Sequence, residues 1–482
     1  MKTMYEYLQK YAIRRPEKKL LGDQSGWLTA EQTHAWVDSA AGKLAGLGLK
    51  RGSVAALRMS QCKESVILLL ALQSVGAVAV LLDHHRDIHE ALNASDLPNP
   101  PEVLLWRQEG EWFAESRKGI RSWRSMTCVP FVRSDSLDTP AFVIFTSGSM
   151  GKQKGVILSQ RNLISNLLDS APLGGYSEDD IALGALPLCH VFGLALLTGA
   201  VVLRHSLYIT TGAELNTVLQ AIEMEKITRM NGVPSLYLNM VAQRGRYDLS
   251  SLRVGFIGGA PCAAEQFEKI ETGLNMTLVP VYGMSECVGI SCASFRDSRE
   301  DRIGGVGRFY PMNEGVVRLS DGATAQVGQI GEICVRGAMR FLGYCREEQT
   351  AEAVDEDGFL HTGDLGYLDE QGILHLTGRK KDIIIRNGVN LSPRRIEEAM
   401  LNIPGVAEAV VVGIEHPVQG EVPCAMAVSS RTELELLALL TGRLNKNEIP
   451  MGIHIIDKLP RTVSGKPDKE MIREVLTQWA KA

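Results

Sequence analysis

The 482-residue sequence has few of the features that are typical of secreted proteins, of proteins stabilised by structural zinc or of nucleic-acid-binding proteins. Its nine cysteines are scattered without Cys-x-x-Cys spacing, which favours reduced thiols in a cytoplasmic protein over a disulfide framework or a zinc site. No charge of one sign dominates, because 51 basic residues face 56 acidic ones and leave a net charge of −5. This balance gives no general attraction to nucleic acid or to an anionic membrane.

An unbroken membrane-spanning run is also missing. The most apolar stretch, residues 65–82, contains Gln73, Ser74 and Gly76 near its middle. We therefore expect a buried helix followed by a buried strand there, and no stable membrane insertion. The first residues are charged and show no signal-peptide core, so we expect a cytoplasmic location.

Length and composition predict a folded α/β protein of more than one domain. Charged residues make up 22% of the chain and hydrophobic residues 45%. Up to about residue 330, strand-like runs ending in glycine alternate with helix-like stretches, a pattern typical of parallel sheets that bind ligands where their strands end. Further on, residues 367–374 predict a hairpin, Ser392-Pro393 predicts a capped helix start, and residues 405–414 and 423–428 predict strands.

The most informative segment is residues 145–156, which reads FTSGSMGKQKGV and follows the apolar, strand-like residues 141–144. Glycines allow several backbone N–H groups to converge, and hydroxyls and lysines add donors, so such a loop suits phosphate oxygens. The spacing differs from the ordinary nucleotide-binding loop, since no Gly-Lys-Ser/Thr follows four residues after a glycine. A flexible surface linker is the alternative.

Further motifs follow this loop in a fixed order. They are LPLCHVFG at 186–193, GGAP at 258–261, YGMSE at 282–286, GEICVRG at 331–337, TGD at 362–364, GRKKD at 378–382 and SGK at 464–466. Together they resemble the adenylate-forming superfamily of acyl- and aryl-CoA synthetases, luciferases and peptide-synthetase adenylation domains. The resemblance implies a large N-terminal domain of stacked αβ sheets with a β-rich subdomain, residues 1–380, and a small mobile α+β C-terminal domain, residues 381–482.

The resemblance also implies a reaction. ATP activates a carboxylic acid to an acyl-adenylate with release of pyrophosphate, and the acyl group then passes to the thiol of coenzyme A. Two anions must meet, so positioned donors, a cation and Mg²⁺ are needed. The alternative acceptor is the phosphopantetheine thiol of a carrier protein, and a third possibility is a paralogue that only binds nucleotide.

The implied nucleotide site is distributed over several motifs. Its residues are Thr146, Ser147, Gly148, Ser149, Gly151 and Lys154 for the phosphates, Gly259, Ala260, Tyr282, Gly283 and Ser285 around the adenine, and Asp364 and Arg379 for the ribose. Glu286 is implied as the Mg²⁺ ligand, with Thr146 beside it. Met150 and Gln153 stand where the family usually has threonine and proline, so the phosphate loop departs from the pattern.

Three positions are implied to serve catalysis and domain movement. Lys466 matches the lysine placed between the carboxylate and the α-phosphate, although a solvated surface lysine is the plain alternative. Lys381 matches the hinge about which the C-terminal domain turns. Gly388 matches the loop that then lines the thiol channel.

The acyl pocket is predicted to be mostly apolar. His190 resembles the catalytic-site histidine that borders this pocket in acyl- and aryl-CoA ligases, with a core histidine as the alternative. The other predicted lining residues are Asn231, Val233, Gly283 and Cys287. No acidic residue matches the one that pairs with an α-amino group in amino-acid adenylation domains, which favours an acid without a free amine.

One cluster remains outside this scheme. Residues 83–89, which read DHHRDIH, suggest a metal site or the motif of a condensation-type acyltransferase. The second interpretation fails because it needs an aspartate where His89 stands. We expect a solvated loop that enters a helix.

Overall fold

The structure is a computed structural model of the chain. It describes residues 1–85, 87–93, 95–146, 153–211, 214–461 and 467–480. Within these ranges the α-helices are α1 Met4–Arg14, α2 Ala30–Gly46, α3 Lys63–Val75, α4 Ile88–Asn93, α5 Gln160–Leu173, α6 Val191–Val202, α7 Leu215–Glu225, α8 Pro234–Gln243, α9 Ala264–Leu274, α10 Arg299–Gly304, α11 Glu347–Ala353, α12 Pro393–Leu401, α13 Glu433–Thr441 and α14 Lys469–Trp479.

The strands follow in chain order. Those up to residue 210 are β1 Lys19–Asp23, β2 Gly26–Thr29, β3 Val54–Met59, β4 Val78–Asp83, β5 Val103–Gln108, β6 Glu111–Ser116, β7 Gly119–Ser122, β8 Pro140–Thr146, β9 Lys154–Ser159, β10 Ile181–Gly184 and β11 Ser206–Ile209. The rest are β12 Arg229–Gly232, β13 Val254–Ile257, β14 Thr277–Met284, β15 Cys287–Cys292, β16 Arg308–Phe309, β17 Asn313–Arg318, β18 Gly331–Gly337, β19 Gly343–Tyr344, β20 Leu360–Leu368, β21 Leu374–Arg379, β22 Ile384–Arg386, β23 Val389–Leu391, β24 Val406–His416, β25 Gly420–Ser429 and β26 Ile453–Ile455.

Two large mixed sheets form the first part of the molecule. One has the order β19-β9-β8-β4-β3-β5-β6-β7, and the other has the order β16-β15-β14-β13-β12-β10-β11-β1-β2. Both have a parallel centre, as the alternating sequence pattern predicts. Residues of both sheets and of helices α1, α2, α3, α5 and α6 share one hydrophobic core. The carboxyl ends of the parallel strands are therefore where ligand-binding residues are expected to gather.

The apolar stretch at residues 65–82 is a buried helix and a buried strand, as predicted. It comprises most of α3, in which every residue except Glu64 is buried, and nearly all of β4. Within the described residues, no helix has both the length and the apolar character needed to cross a membrane.

Beyond residue 310 the sheets become small and largely antiparallel, although β25 and β26 pair in parallel. Strands β17, β18, β20 and β21 form one sheet, and β20 and β21 are the hairpin predicted around residues 367–374. The last sheet has the order β23-β22-β25-β24, with β26 beside β25, and packs against α12, α13 and α14. The expected architecture of stacked αβ sheets, a β-rich part and a smaller C-terminal α+β unit is confirmed.

The start of α12 corrects one local detail. The helix begins at Pro393 as predicted, but the side chain of Ser392 makes no capping hydrogen bond. The Ser392 hydroxyl instead donates to the carbonyl oxygen of Thr377 at β21. A contact to a distant strand has replaced the local cap, so the residue that starts the helix also ties it to the preceding sheet.

Candidate active site

The glycine-rich segment connects two paired strands. Strand β8 ends at Thr146 and β9 begins at Lys154, and these two residues are directly opposite each other in the antiparallel pair. The expected strand before the loop is therefore present. Ser147, Gly148, Ser149 and Gly151, together with the unusual Met150, lie outside the described residues, so their role in binding phosphate stays a prediction.

Glu286 lies next to this loop through a residue that the motifs did not indicate. Tyr344, in β19, pairs with Val156 of β9, and its hydroxyl donates to Glu286 Oε1 at 2.7 Å. The ammonium group of Lys154 lies 5.1 Å from the centre of the Tyr344 ring. Burial and the neighbouring Glu286 carboxylate raise the pKa of Tyr344, so its hydroxyl remains a donor. Tyr344 thus connects the proposed metal ligand to the phosphate loop.

The geometry of Glu286 fits a Mg²⁺ ligand. Its side chain is buried beside the turn between β14 and β15, and Tyr344 occupies only Oε1. A carboxylate oxygen next to the phosphate-binding loop is the type of ligand that Mg²⁺ takes together with substrate phosphates. Thr146 ends β8 opposite Lys154, and its hydroxyl offers a further oxygen ligand.

Removing the Tyr344 hydroxyl should weaken the metal site without destroying it. We expect Tyr344→Phe to raise the Mg²⁺ concentration needed for half-maximal pyrophosphate release by about 10-fold, in the range seen when a group that orients a metal ligand is lost. Glu286→Gln should have a larger effect in the same direction, because it removes the ligand's charge. A titration of activity with Mg²⁺ at saturating ATP measures both. An unchanged Mg²⁺ dependence in Tyr344→Phe would show that the hydrogen bond does not orient Glu286.

The three residues expected at the adenosine are in direct contact with one another. The Tyr282 hydroxyl donates to Asp364 Oδ2 at 2.6 Å, and Arg379 Nε donates to Asp364 Oδ1 at 2.8 Å. Asp364 and Arg379 are opposite each other in the β20–β21 pair, which accounts for their proximity. Burial and the Asp364 carboxylate raise the pKa of Tyr282 well above its ordinary range. A fixed carboxylate beside an aromatic ring suits a ribose and its attached base.

A second layer of hydrogen bonds holds this cluster. The backbone N–H of Asp364 donates to Thr362 Oγ1 at 3.1 Å, and that hydroxyl donates to the carbonyl of Ile333 at 2.8 Å. Glu332 Oε1 accepts the backbone N–H of Gly363 at 3.1 Å. The GEICVRG and TGD motifs therefore act together in space, as neighbouring strands of one sheet.

The remaining nucleotide-site candidates differ in their exposure to solvent. Gly259, Ala260 and Gly283 are exposed, whereas Tyr282 is buried. Gly259 has φ +79°, a conformation that only glycine adopts at little cost, and a side chain there would meet Val233 Cγ1 at 3.5 Å. Ser285 is partly buried in the turn between β14 and β15, next to Glu286.

His190 lies at the start of a very apolar helix. It is the residue that precedes α6, and α6 carries no charged side chain. The preceding turn is tight, because a Cβ atom at Gly193 would overlap the carbonyl oxygen of Pro187. The position of His190 is thus set by the packing of residues 187–193.

Gln61 clamps the segment before His190 and was not indicated by any motif. The Gln61 side chain is buried, its Nε2 donates to the carbonyl of Leu186 at 3.1 Å, and its Oε1 accepts the N–H of Leu188 at 3.1 Å. The contact joins positions 125 and 127 residues apart, so sequence spacing gives no signal for it. Two hydrogen bonds to one peptide segment fix its orientation.

The histidine-rich cluster at residues 83–89 divides into two parts. His85 and Asp87 are exposed, and Asp87 accepts backbone hydrogen bonds at the start of α4, as expected for a solvated loop that enters a helix. Asp83 is partly buried, and its carboxylate lies within 4.8 Å of ligand atoms of Cys189 and His190. Burial and Asp83 raise the pKa of the Cys189 thiol to about 12, so this sulfur stays protonated.

The other predicted pocket residues do not all come together. The Asn231 side chain is buried near the start of α6 and donates from Nδ2 to the carbonyl of Phe192 at 3.5 Å. Val233 lies beside Gly259. The Cys287 thiol is fully buried and contacts the carbonyl of Gly289 and the Asn313 amide. The structure therefore links Asn231 and Val233 to the His190 and Gly259 regions, whereas Cys287 packs against β17.

The two residues next to Lys381 form ion pairs, one with a residue earlier in the chain and the other with a residue later in the chain. Lys380 binds Glu332 of β18 at 3.1 Å, and Asp382 binds Lys469 of α14 at 2.7 Å. Lys381 itself is exposed in a short 3-10 helix, Lys380–Asp382, and within the described ranges its side chain has no hydrogen bond or ion pair. Lys381 therefore lies between a residue that is ion-paired with β18 and a residue that is ion-paired with α14.

The two C-terminal candidates differ in what the structure says of them. Gly388 has φ +77° and follows Asn387 at φ +51° in the two-residue turn between β22 and β23, where it is exposed. Lys466 lies outside the described residues. The flanking Arg461 and Pro467 form an antiparallel bridge, and Arg461 is paired with Glu408 of β24.

Comparison with known proteins decides the family. The family model described as AMP-binding enzyme matches residues 8–345, and that of the AMP-binding enzyme C-terminal domain matches residues 395–466. The chain belongs to the AMP-binding enzyme family. The resemblance to adenylate-forming enzymes is thereby confirmed.

Relatives align along the whole chain. A 2-succinylbenzoate–CoA ligase of Bacillus cereus (strain Q1) is 31% identical, with 99% of this chain and 100% of that protein covered. ATP-bound MatB of Rhodopseudomonas palustris superposes with a TM-score of 0.87 at 26% identity, over 99% of this chain and 100% of the other. The o-succinylbenzoate CoA synthetase of Bacillus subtilis with its acyl-adenylate OSB-AMP gives 0.83 at 28% identity, over 98% and 97% of the chains.

These likenesses confirm the predicted class of enzyme, an AMP-forming acid–thiol ligase. The Bacillus subtilis enzyme is also known with ATP and a magnesium ion, at a TM-score of 0.84 and 28% identity, over 97% of this chain and 98% of the other. The expectation of ATP, Mg²⁺ and coenzyme A is confirmed through these relatives. The individual site residues remain predictions, supported by the contacts described above.

Proposed function

We propose that the protein is a carboxylic acid–CoA ligase that acts in two half-reactions at one site and works in the cytoplasm. The observation that carries the proposal is the contact of Tyr282 and Arg379 with Asp364, together with a second cluster formed by Glu286, Tyr344 and Lys154. Separate sites for adenosine and for phosphates with a metal are what ATP requires.

In the first half-reaction, the acid carboxylate attacks the α-phosphorus of ATP, the bond to the β-phosphate oxygen breaks, and pyrophosphate leaves. Asp364 holds the ribose, with Arg379 fixing the orientation of its carboxylate. Lys154 and the other loop donors neutralise the phosphates, and Glu286 with Thr146 would hold Mg²⁺. The metal supplies charge neutralisation on the phosphoryl oxygens.

In the second half-reaction, the thiol of coenzyme A attacks the acyl carbon and AMP leaves. We propose that residues 1–380 and 381–482 are the two domains and that rotation at Lys381 brings Gly388 to the thiol path. The ion pairs on each side of Lys381 support this boundary, since they fix one neighbour to each unit. A carrier-protein thiol remains the second candidate acceptor.

The acid is a small molecule bound near His190. The apolar character of α6 and the absence of charge on it favour an acid with a substantial apolar part and no free amine. 2-Succinylbenzoate is the first acid to test, because relatives aligned over the whole chain bear its name. Gln61 would hold the His190 segment in place while acids of different size are bound.

A screen of acids tests the proposal directly. The enzyme is incubated with ATP, Mg²⁺ and single acids, including 2-succinylbenzoate, benzoate and straight-chain acids, and pyrophosphate release is measured with coenzyme A, with a phosphopantetheinylated carrier protein, and with neither. We expect acid-dependent release and an acyl-CoA product detectable by mass spectrometry. Asp364→Ala is the matched inactive control. Release that never depends on an acid would contradict the proposal, and a thioester formed only on the carrier protein would favour the second candidate.

A further inference from the structure

The buried side chain of Asn231, which contacts Phe192 near His190, has an amide oxygen without a hydrogen-bond partner among the described residues. Asn231 is only 4% exposed, and in the part of the chain that the structure describes its Oδ1 accepts no hydrogen bond. Leaving a buried acceptor unpaired is unfavourable, because it has lost water without gaining a donor. Such atoms are rare in native structures, and each calls for a physical reason.

Asn231 lies between the segment that contains His190 and the start of the GGAP motif. It lies one residue before the end of β12, opposite Phe256 of the parallel strand β13. Just past the end of β13, the N–H of Gly258 donates to the carbonyl of Gly232, the last residue of β12, at 3.2 Å. Gly258 begins the GGAP motif, and Phe192, which Asn231 contacts, is two residues from His190.

The contact with Phe192 determines which end of the amide is available. Nδ2 donates to the Phe192 carbonyl oxygen, so turning the amide over would set two oxygens against each other. The unpartnered atom is therefore an acceptor. No charged side chain on α6 competes for it, since that helix carries none.

We infer that the acid activated by this enzyme carries a hydrogen-bond donor in addition to its carboxylate, a hydroxyl or an amide N–H, and that Asn231 Oδ1 accepts from it. The inference rests on the proposed function and makes Asn231 a specificity-determining residue. A site built to hydrogen-bond a substrate hydroxyl discriminates strongly against the analogue that lacks it, because the buried partner is then left unpaired. An apolar pocket without Asn231 would accept the hydroxyl-bearing acid and the analogue without the hydroxyl about equally well.

Matched acids and matched variants test this inference. The pairs are benzoate with 2-, 3- and 4-hydroxybenzoate, and hexanoate with its hydroxy derivatives. 2-Succinylbenzoate is added as an acid without a donor, because its ketone and second carboxylate only accept hydrogen bonds at neutral pH. The variants are Asn231→Leu, which removes the acceptor, and Asn231→Gln, which keeps an amide with both an N–H donor and an acceptor oxygen. Asn402→Leu is the control, since Asn402 Oδ1 is also buried and unpartnered but lies at the end of α12. The quantity measured is kcat/KM for acid-dependent pyrophosphate release.

We expect the best donor-bearing acid to exceed its unsubstituted partner by about 10-fold or more in the parent enzyme. In Asn231→Leu this ratio should fall close to one while the KM for ATP stays the same, and Asn231→Gln and Asn402→Leu should keep the preference. A best acid without a donor, or an unchanged ratio in a folded Asn231→Leu variant, would overturn the inference and leave the ligase proposal intact. Absence of release with every acid would overturn both.

Discussion

Replacing Lys466 by alanine is expected to lower acyl-adenylate formation by about 100- to 1000-fold, the loss typical when a donor aimed at developing charge is removed. The carboxylate and the α-phosphate are both anionic, and a cation placed between them offsets their repulsion as the new bond forms. In the second half-reaction a thiol attacks the uncharged carbonyl carbon of the acyl-adenylate, a mixed anhydride, so this step needs the cation much less. Pyrophosphate release measures the first step, and CoA-dependent consumption of presynthesised acyl-adenylate measures the second.

The control for Lys466→Ala is a lysine that is close in sequence and has no proposed part in adenylation. Lys458 is exposed in the segment that leads to the Arg461–Pro467 bridge, so Lys458→Ala should leave both steps near the parent rate. Equal loss of both steps in Lys466→Ala, with an unchanged thermal transition, would show that Lys466 does not act specifically on adenylation.

Proline at position 381 is expected to have the opposite pattern, with adenylation preserved and thioester formation nearly abolished. A rotation between the two units requires a large change of backbone dihedral at the hinge. Proline fixes φ near −65° and also restricts Lys380 before it. The chain at this point is held on one side by Lys380 and Glu332 and on the other by Asp382 and Lys469. Backbone rotation at Lys381 is therefore the change that moves one unit without breaking either ion pair.

Single-turnover experiments separate the two outcomes. Formation of acyl-adenylate is followed without coenzyme A, and its conversion to thioester is followed after coenzyme A is added. Lys381→Ala is the matched control, because it removes the exposed side chain and leaves the backbone free, and it should behave as the parent enzyme. Thioester formation at the parent rate in Lys381→Pro would mean that the hinge lies elsewhere or that no rotation takes place.

Elements with strong local signals were predicted well from the sequence. The apolar run at 65–82, the hairpin near 367–374 and the strands near 405–414 and 423–428 all have clear periodicity or turn residues, and all are present. The Ser392 cap was wrong in one respect, because a tertiary acceptor at Thr377 was available to its hydroxyl. Local pattern predicts that a helix starts, but it cannot predict which of several acceptors a hydroxyl uses.

The sequence by itself determined the family, the order of the motifs and the chemistry they serve, because these depend on residue types at short spacing. Only the tertiary structure decided that Tyr344 binds Glu286 and that Gln61 clamps the segment before His190. These partners are 58 and more than 100 residues apart, and the packing of the two large sheets against a shared core brings them together. The unpaired oxygen of Asn231 is likewise a tertiary property. It arises because the fold buries this side chain where no described donor reaches its oxygen.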